Sequence, residues 1–309
     1  MTTPALFGYD LFGEPVRPER SGPLAQRYEF PPFSVLNARD GDWQNRKRAW
    51  TDLGISGEIG RSAKSYNVHD WMVDKGGGKR ADGDGTSIFD PVLCELVYRW
   101  FCPPGGQVVD PFAGGSVRGI VAACLGFKYW GSDLSTRQIA ANEAQRGVAP
   151  EDASLTWVAG DSLHTVREAP LADLVFTCPP YGDLERYSDD PRDISTMEYH
   201  TFLAEYGRIL IAAERRLRPG RFLAIVVGDF RDKRTGNYRG FVADTVNICR
   251  DMHLGLYNDA VLVTAVGSLP IRITKQFEAG RKMGKTHQNL LVFVKGDGRA
   301  AANACRGNS

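Results

Sequence analysis

The chain carries 309 residues, with 38 Lys+Arg against 37 Asp+Glu, and 42% of its residues are hydrophobic. No apolar run approaches the ~18 residues of a membrane span, and the opening Met1-Thr2-Thr3-Pro4 lacks signal-peptide form. A folded cytoplasmic protein is expected, and its net charge of +1 argues at first against a polyanionic partner.

Divided at 100 and 200, the three parts hold 13 basic against 14 acidic residues, 7 against 14, and 18 against 9. The middle is acidic and the last third basic, as expected for a polyanion-facing surface beside a differently charged site. Interleaving of these parts in space would cancel the asymmetry. The six cysteines (94, 102, 124, 178, 249, 305) show no Cys-x-x-Cys spacing, so neither a metal site nor a disulfide framework is expected.

Residues 1–85 are rich in Pro, Gly, Arg and aromatics, with one helix expected from Asp42 and a Gly-rich linker from Gly76 to Gly85. They read as an accessory region. From Thr86 the pattern alternates. Helical spacing covers Pro91 to Phe101, followed by a strand from Gln107, a helix from Ser116, a strand from Tyr129 and a helix capped by Ser135. Strands are expected at about Leu155 to Gly160, Asp173 to Phe176 and Phe222 to Gly228, with helices at about Ser195 to Leu217 and Phe241 to Met252. Two closing strands, Ala260 to Val266 and Asn289 to Lys295, are expected without a full helix between them, and 297–309 as a flexible tail. Repeated βα units predict an α/β fold, Rossmann-like, with a mostly parallel seven-stranded sheet and one antiparallel strand over residues 86–296.

In such sheets ligands bind beyond the carboxyl ends of the strands, at the switch point. The expected strand ends carry Asp110-Pro111-Phe112-Ala113-Gly114-Gly115-Ser116, Asp133, Asp161, and Cys178-Pro179-Pro180-Tyr181. Small residues after the first strand permit a sharp turn and close backbone approach to a ligand. Asp133 follows Gly114 by the spacing at which an acid reaches ribose hydroxyls. There is no Gly-x-Gly-x-x-Gly, and Asp110 would repel a pyrophosphate but suit a cationic partner such as an ammonium group. A nucleoside-containing cofactor other than a dinucleotide is expected.

The segments Val109–Gly115, Gly131–Ser135 and Thr177–Tyr181 resemble those of the S-adenosylmethionine-dependent DNA amino-methyltransferases, which methylate adenine N6 or cytosine N4. Upstream, Thr86-Ser87-Ile88-Phe89-Asp90-Pro91 is similar to the family's segment holding the methionine moiety, and Lys285–Phe293 to its closing strand. The amino-terminal part, including Trp43-Gln44-Asn45-Arg46-Lys47-Arg48, looks similar to phage- or prophage-encoded members. The resemblance implies S-adenosyl-L-methionine held by Ser87, Phe89, Asp110, Phe112, Gly114, Asp133 and Asp161, with Cys178, Pro179, Pro180 and Tyr181 as the catalytic loop. DNA is the implied partner, as in a restriction-modification system.

Methyl transfer from a sulfonium is an in-line displacement that needs position more than acid–base groups. Two prolines in succession stiffen the loop and leave carbonyls as its polar groups, so the Pro179 carbonyl would hold the target amino group. Tyr181 would stack on a base flipped from the duplex. The sequence departs from the family at Ser116, where glycine is common, and at Cys178, where Asp, Asn or Ser is usual. A thiol is a weak acceptor, so Thr177 or a water is the expected substitute. Cys178 also opens a rival, thiolate attack on a pyrimidine ahead of methylation at C5. The Thr-Cys-Pro-Pro-Tyr run with Leu184-Glu185-Arg186-Tyr187 is nearer the cytosine-N4 pattern than the adenine-N6 one. An RNA amino-methyltransferase and a cofactor-binding protein without turnover stay open.

The basic third should meet the nucleic acid. Arg231, Lys233, Arg234 and Arg239 follow the Phe222–Gly228 strand, and Arg272, Lys275, Arg281, Lys282 and Lys285 lie between the closing strands; both sets are expected in loops, as phosphate contacts or a lid. Arg46–Arg48 beside Trp43 is a third candidate, and His287 reads as a loop-end hydrogen-bonding residue.

Overall fold

The computed structural model describes residues 23–55, 89–182, 188, 190–267 and 269–306. Its strands are β1 (Val35–Asn37), β2 (Gln107–Asp110), β3 (Lys128–Asp133), β4 (Leu155–Ala159), β5 (Ala172–Thr177), β6 (Leu217–Val227), β7 (Gly255–Val263) and β8 (His287–Lys295). They form one sheet in the order β1-β7-β8-β6-β5-β2-β3-β4. Only β8 runs antiparallel, pairing with both β6 and β7. The expected fold is observed, with eight strands where seven were expected.

The eighth strand comes from the segment read as accessory. Val35, Leu36 and Asn37 pair in parallel with Val261, Leu262 and Val263, so residues 35–37 of that segment belong to the same sheet. The helix that follows, α2 (Gly41–Asp52; α1 is Pro23–Tyr28), buries Trp43 and Trp50 in the main core. It packs on α3 (Pro91–Phe101), whose Glu95 is fully buried. Trp50 Nε1 donates to Glu95 at 2.9 Å, Arg99 Nε donates at 2.9 Å, and Arg46 grips the same carboxylate through two nitrogens. Burial alone would raise this carboxyl, but the Arg46 hydrogen bonds and charge outweigh it and hold the group below its usual range. Arg46 therefore serves the core rather than a solvated basic face.

The βα units follow sequence logic. Asp90 caps α3, accepting from Val92 N at 3.0 Å, with Pro91 in the first turn where no amide is needed. Ser135 caps α5 (Thr136–Ala144) by accepting from Gln138 N, and α4 (Val117–Cys124) stops before Gly126 at φ +78°. The crossovers continue through α6 (Ser162–Thr165), α7 (Tyr199–Arg216) and α8 (Phe241–Asp251).

Two further expectations are corrected. The closing strands are joined by a helix, α9 (Leu269–Gly280), so Arg272 and Lys275 lie on a helix and not in a loop. The tail is not featureless either: α10 (Gly298–Ala304) is capped by Asp297 and buries Ala301 against the sheet. Among the described residues no helix is long and apolar enough to cross a membrane.

Removing one partner of a buried ion pair leaves an uncompensated charge. Arg46→Ala should lower unfolding stability by about 3 kcal/mol, read from urea midpoints, because Arg99 still holds part of Glu95. The loss should shrink in acid. A carboxyl depressed in the folded state stabilises above its unfolded pKa, and that contribution disappears as pH falls through the folded value.

Candidate active site

Every strand of the sheet contributes to one cavity of about 1180 Å³ at its β2–β7 carboxyl edge. The wall takes Ala38 after β1, Pro111 and Phe112 after β2, Ser132 and Asp133 at β3, Asp161 and Ser162 after β4, and Cys178 to Tyr181 after β5. Gly228, Asp229 and Phe230 follow β6, Thr264 and Ala265 follow β7, and His287 and Gln288 open the antiparallel β8 at the same edge. Phe89, Phe112, Gly114, Asp133, Asp161 and all four residues of the Cys-Pro-Pro-Tyr loop thus share one volume. Ser87 lies outside the described residues.

Asp110 is the exception. It is fully buried, and both its oxygens are committed: Oδ2 to Arg118 Nε at 2.6 Å and Tyr129 Oη at 2.9 Å, Oδ1 to Thr177 Oγ1 at 2.7 Å. The expected contact between this acid and a cationic ligand is therefore corrected, since Arg118 already supplies the cation from inside the protein. Burial would lower the Arg118 pKa, but Asp110 outweighs it, and the guanidinium stays charged. Arg118 also donates to the carbonyls of Phe112 and Ala113, which fixes the turn after β2. Thr177 is fully buried with its hydroxyl on Asp110, so it does not stand in for the missing acceptor at Cys178.

The turn itself needs glycine. Gly114 has φ +51°, its amide donates to Asp133 Oδ2 at 3.0 Å, and its carbonyl accepts from the buried Asn142 at 2.8 Å. A Cβ at Gly131 would meet Ala113 and the Tyr129 ring at under 3.0 Å, so β3 can pass this loop only without a side chain. Asp133 also accepts from Ser135 N at 2.8 Å, which aims its carboxylate at the end of β3. Asp161 caps α6 through Oδ1, accepting from Leu163 N at 2.9 Å.

On the other side of the switch point Tyr181 stands edge-on to Phe230 and Phe241, with ring centroids 6.5 and 6.3 Å away. Its hydroxyl accepts from Gln288 Nε2 at 2.6 Å. Lys285, expected as a phosphate contact or part of a lid, is half-buried. It lines the cavity, 3.1 Å from His287 Nε2, and burial lowers its pKa while Asp229 opposes the shift. Burial, then the neighbouring Lys285 charge, also holds His287 below its usual value. His287, Gln288, Asp229, Arg118, Gln44 and Lys47 are cavity residues that the sequence reading did not assign to the site.

The 231–239 segment reaches the cavity wall at Lys285, whose ammonium lies 5.9 Å from the Tyr238 ring centroid. Arg231 donates to the Gly236 carbonyl at 3.0 Å and lies 3.9 Å from the Tyr238 ring centroid. The Lys282 ammonium packs so closely over Gly236 that a Cβ there would collide with it, which joins the 231–239 segment to the 281–286 segment. Lys233, Arg234, Lys275 and Arg281 lie on the same two segments and on α9. Arg239 is instead spent on Asp232 at 2.9 Å and on the Tyr199 ring. Among the described residues no group of three His, Cys, Asp or Glu could hold a metal.

No protein-family model and no curated protein matches the chain. Among solved structures it is similar to TrmN from Thermus thermophilus, at 17% identity and TM-score 0.44 over 67% of this chain and 49% of that one. A structure from Streptococcus mutans described as a SAM-dependent methyltransferase gives 13% identity and TM-score 0.46 over 69% and 51%. A second protein of Thermus thermophilus, described as a DNA modification methylase, gives 26% identity and TM-score 0.35 over 45% and 53%. The chain spans about half the length of each of these three. Likeness of this degree assigns neither substrate nor cofactor.

Arg118→Met should cost about 3–5 kcal/mol by leaving the Asp110 carboxylate buried and unpaired; the double variant with Asp110→Asn should recover part of that loss in the same unfolding measurement. Lys285→Met should raise the pKa of His287, because a like charge is removed from its side. Imidazole titration by NMR, with His287 assigned among the five histidines, reads that shift.

Proposed function

We propose that the protein is an S-adenosyl-L-methionine-dependent DNA methyltransferase that modifies the exocyclic amino group of a flipped base, cytosine N4 in preference to adenine N6. The observation that carries this reading is the union in one cavity of two differently equipped halves. One half, at β2 to β4, has the glycine turn and the carboxylates of Asp133 and Asp161, acceptors that suit ribose hydroxyls and a nucleobase amino group. The other, at β5 to β8, has the rigid Pro179-Pro180 loop, the Tyr181 ring and the Lys285–His287 pair.

Bound there, the cofactor would supply a methyl group on a positively charged sulfur. The residues of the chain would then position the acceptor. The Pro179 carbonyl would take a hydrogen bond from the target amino group, and the Tyr181 ring, steadied by Gln288 and edge-on to two phenylalanines, offers a face for the base. Cys178 supplies only a weak acceptor, and with Thr177 turned to Asp110 the second contact falls to water or to the thiol itself. The connected basic segments that carry Arg231, Lys233, Arg234, Arg281 and Lys282 would follow the phosphates at the mouth. A nucleic acid fits this surface better than a small metabolite, which would need no such rim.

Incubating the purified protein with methyl-labelled cofactor and genomic DNA, then digesting to nucleosides for mass spectrometry, tests the reading. N4-methylcytosine is the expected product. N6-methyladenine would change the base, label confined to RNA would change the nucleic acid, and 5-methylcytosine alone would overturn amino methylation in favour of Cys178 chemistry. Cofactor binding without transfer to any nucleic acid would mark a non-catalytic protein.

A further inference from the structure

The connection between β7 and β8 leaves the sheet at the mouth of the cavity and returns to it at the same place. Thr264 N donates to the Thr286 carbonyl at 3.0 Å, so the chain is still paired where the segment departs. Thr264, Ala265, Lys285 and His287 all line the cavity, and residues 265–285 therefore form an arm rooted at the site. Two clasps hold this arm. A Cβ at Gly284 would strike the Leu269 side chain, which places the first residue of α9 against the returning chain. Beyond the other end of the helix, where Arg281 takes φ +51°, Lys282 reaches Gly236 in the 231–239 segment.

Between these clasps α9 turns one side to the body. Leu269 and Ile273 are half-buried, whereas Pro270, Ile271 and Thr274 to Gly280 are exposed. Opposite the half-buried pair, Ile271, Thr274, Lys275 and Glu278 follow the i, i+3, i+4, i+7 spacing of a single helix face. On that face an apolar side chain, 56% exposed, stands in line with a hydroxyl, an ammonium and a carboxylate.

These are the chemistries that tell base pairs apart in a major groove. An ammonium meets the acceptors of guanine, a carboxylate the amino group of cytosine, a hydroxyl either kind of edge, and an apolar group the thymine methyl. Size agrees. The helix has 12 residues, about 18 Å at 1.5 Å per residue, and the major groove of B-form DNA admits one α-helix. The deep, narrow major groove of A-form RNA does not. The flanking charge has the sign a duplex requires, with Arg281 and Lys282 past the end of α9 and Lys233 and Arg234 on the segment that Lys282 clasps. A protein partner would call for more than one apolar side chain on the outward stripe.

We infer that α9 lies in the major groove of a DNA duplex beside the flipped base and reads its sequence through Thr274, Lys275 and Glu278, with Ile271 against a thymine methyl. The inference rests on the reading of the protein as a DNA methyltransferase and adds to it the element that chooses the site. It does not depend on whether cytosine or adenine is modified.

The test separates sequence reading from binding and from turnover. A random-sequence duplex DNA library is incubated with the wild-type protein and S-adenosyl-L-methionine, the bound fraction is sequenced, and methyl transfer to the same library is measured in parallel. The wild-type protein should enrich a defined motif. Lys275→Met and Glu278→Gln should each lower discrimination at one base pair of that motif about tenfold, and leave affinity for unmatched duplex within about twofold. Arg281→Gln should instead weaken all sequences alike. An unchanged motif in the Lys275 and Glu278 variants, or uniform weakening by them, would overturn the inference. So would a wild-type protein that enriches no motif, or one that binds only RNA. A dimer that Ile271→Asp dissociates, read by light scattering, would give the face to a second copy of the chain and overturn it as well. A motif enriched without methyl transfer to any DNA leaves α9 as the reading helix while the methyltransferase reading fails.

Discussion

The structure turns on one buried carboxylate. Asp110 sits at the switch point of the sheet, where β2 leads to β3 and β4 on one side and β5 begins the other. Its two oxygens collect a guanidinium from α4, a phenol from β3 and a hydroxyl from β5. A buried charge with directed partners on three separate elements is costly to form incompletely, so the group fixes the relative position of the elements that carry both halves of the cavity. Arg118 then extends the order outward, through the Phe112 and Ala113 carbonyls, to the glycine turn.

This arrangement has a consequence for the electrostatics of the cavity. An acid exposed at the end of β2 would attract any cation that entered; an acid sealed by Arg118 does not. Among the acids that do line the cavity, Asp133 and Asp161 lie toward β4, Asp90 toward α2 and Asp229 after β6. Asp133 combines two duties, holding the Gly114 amide and facing the cavity, and the turn and the candidate ribose contact are thereby set by the same side chain. A small rotation of Asp133 would disturb both.

Much of this was legible in the sequence because it is local. The βα alternation, the Ser135 cap and the apolar strands follow from periodicity and turn chemistry within windows of about ten residues. Strand ends in such a sheet converge on one edge by topology, so Gly114, Asp133, Asp161 and Tyr181 could be assembled without coordinates. What stayed hidden depends on which side chains pair once the chain is folded. Nothing near Asp110 says that Arg118, in the first turn of the next helix, bends back to neutralise it. Nothing in Arg46-Lys47-Arg48 says that its first member serves a buried glutamate 49 positions away while the second faces a cavity. The short β1 has only three residues and its burial alternates exposed, buried, exposed, too little for a periodic signal. The α9 helix was obscured because its residues are largely exposed, leaving no apolar face to a core.

The division of charge along the chain is also resolved differently from its appearance in sequence. The acidic middle is not a single field around a ligand. Asp161, Asp193 and Glu198 cap helices, Asp110 pairs with Arg118, and Asp173 binds Arg221 at 3.1 Å and Arg218 at 3.5 Å. The last two are arginines of the basic third, so part of the asymmetry cancels by interleaving, at the end of the sheet away from the cavity. Further basic groups are consumed elsewhere: Lys295 binds Glu214, and, in the segment after β6, Arg239 binds Asp232. The positive charge left over is concentrated where Lys282 packs on Gly236 and ties the 231–239 segment to the segment entering β8. Net charge by thirds overstated the field; the contact between two segments well separated in sequence is what gives the residual charge a location, at the rim beside Tyr181 and Lys285. A near-neutral chain can therefore present a basic edge, because its acids are used as caps and partners inside the fold while a subset of its cations is left to face outward.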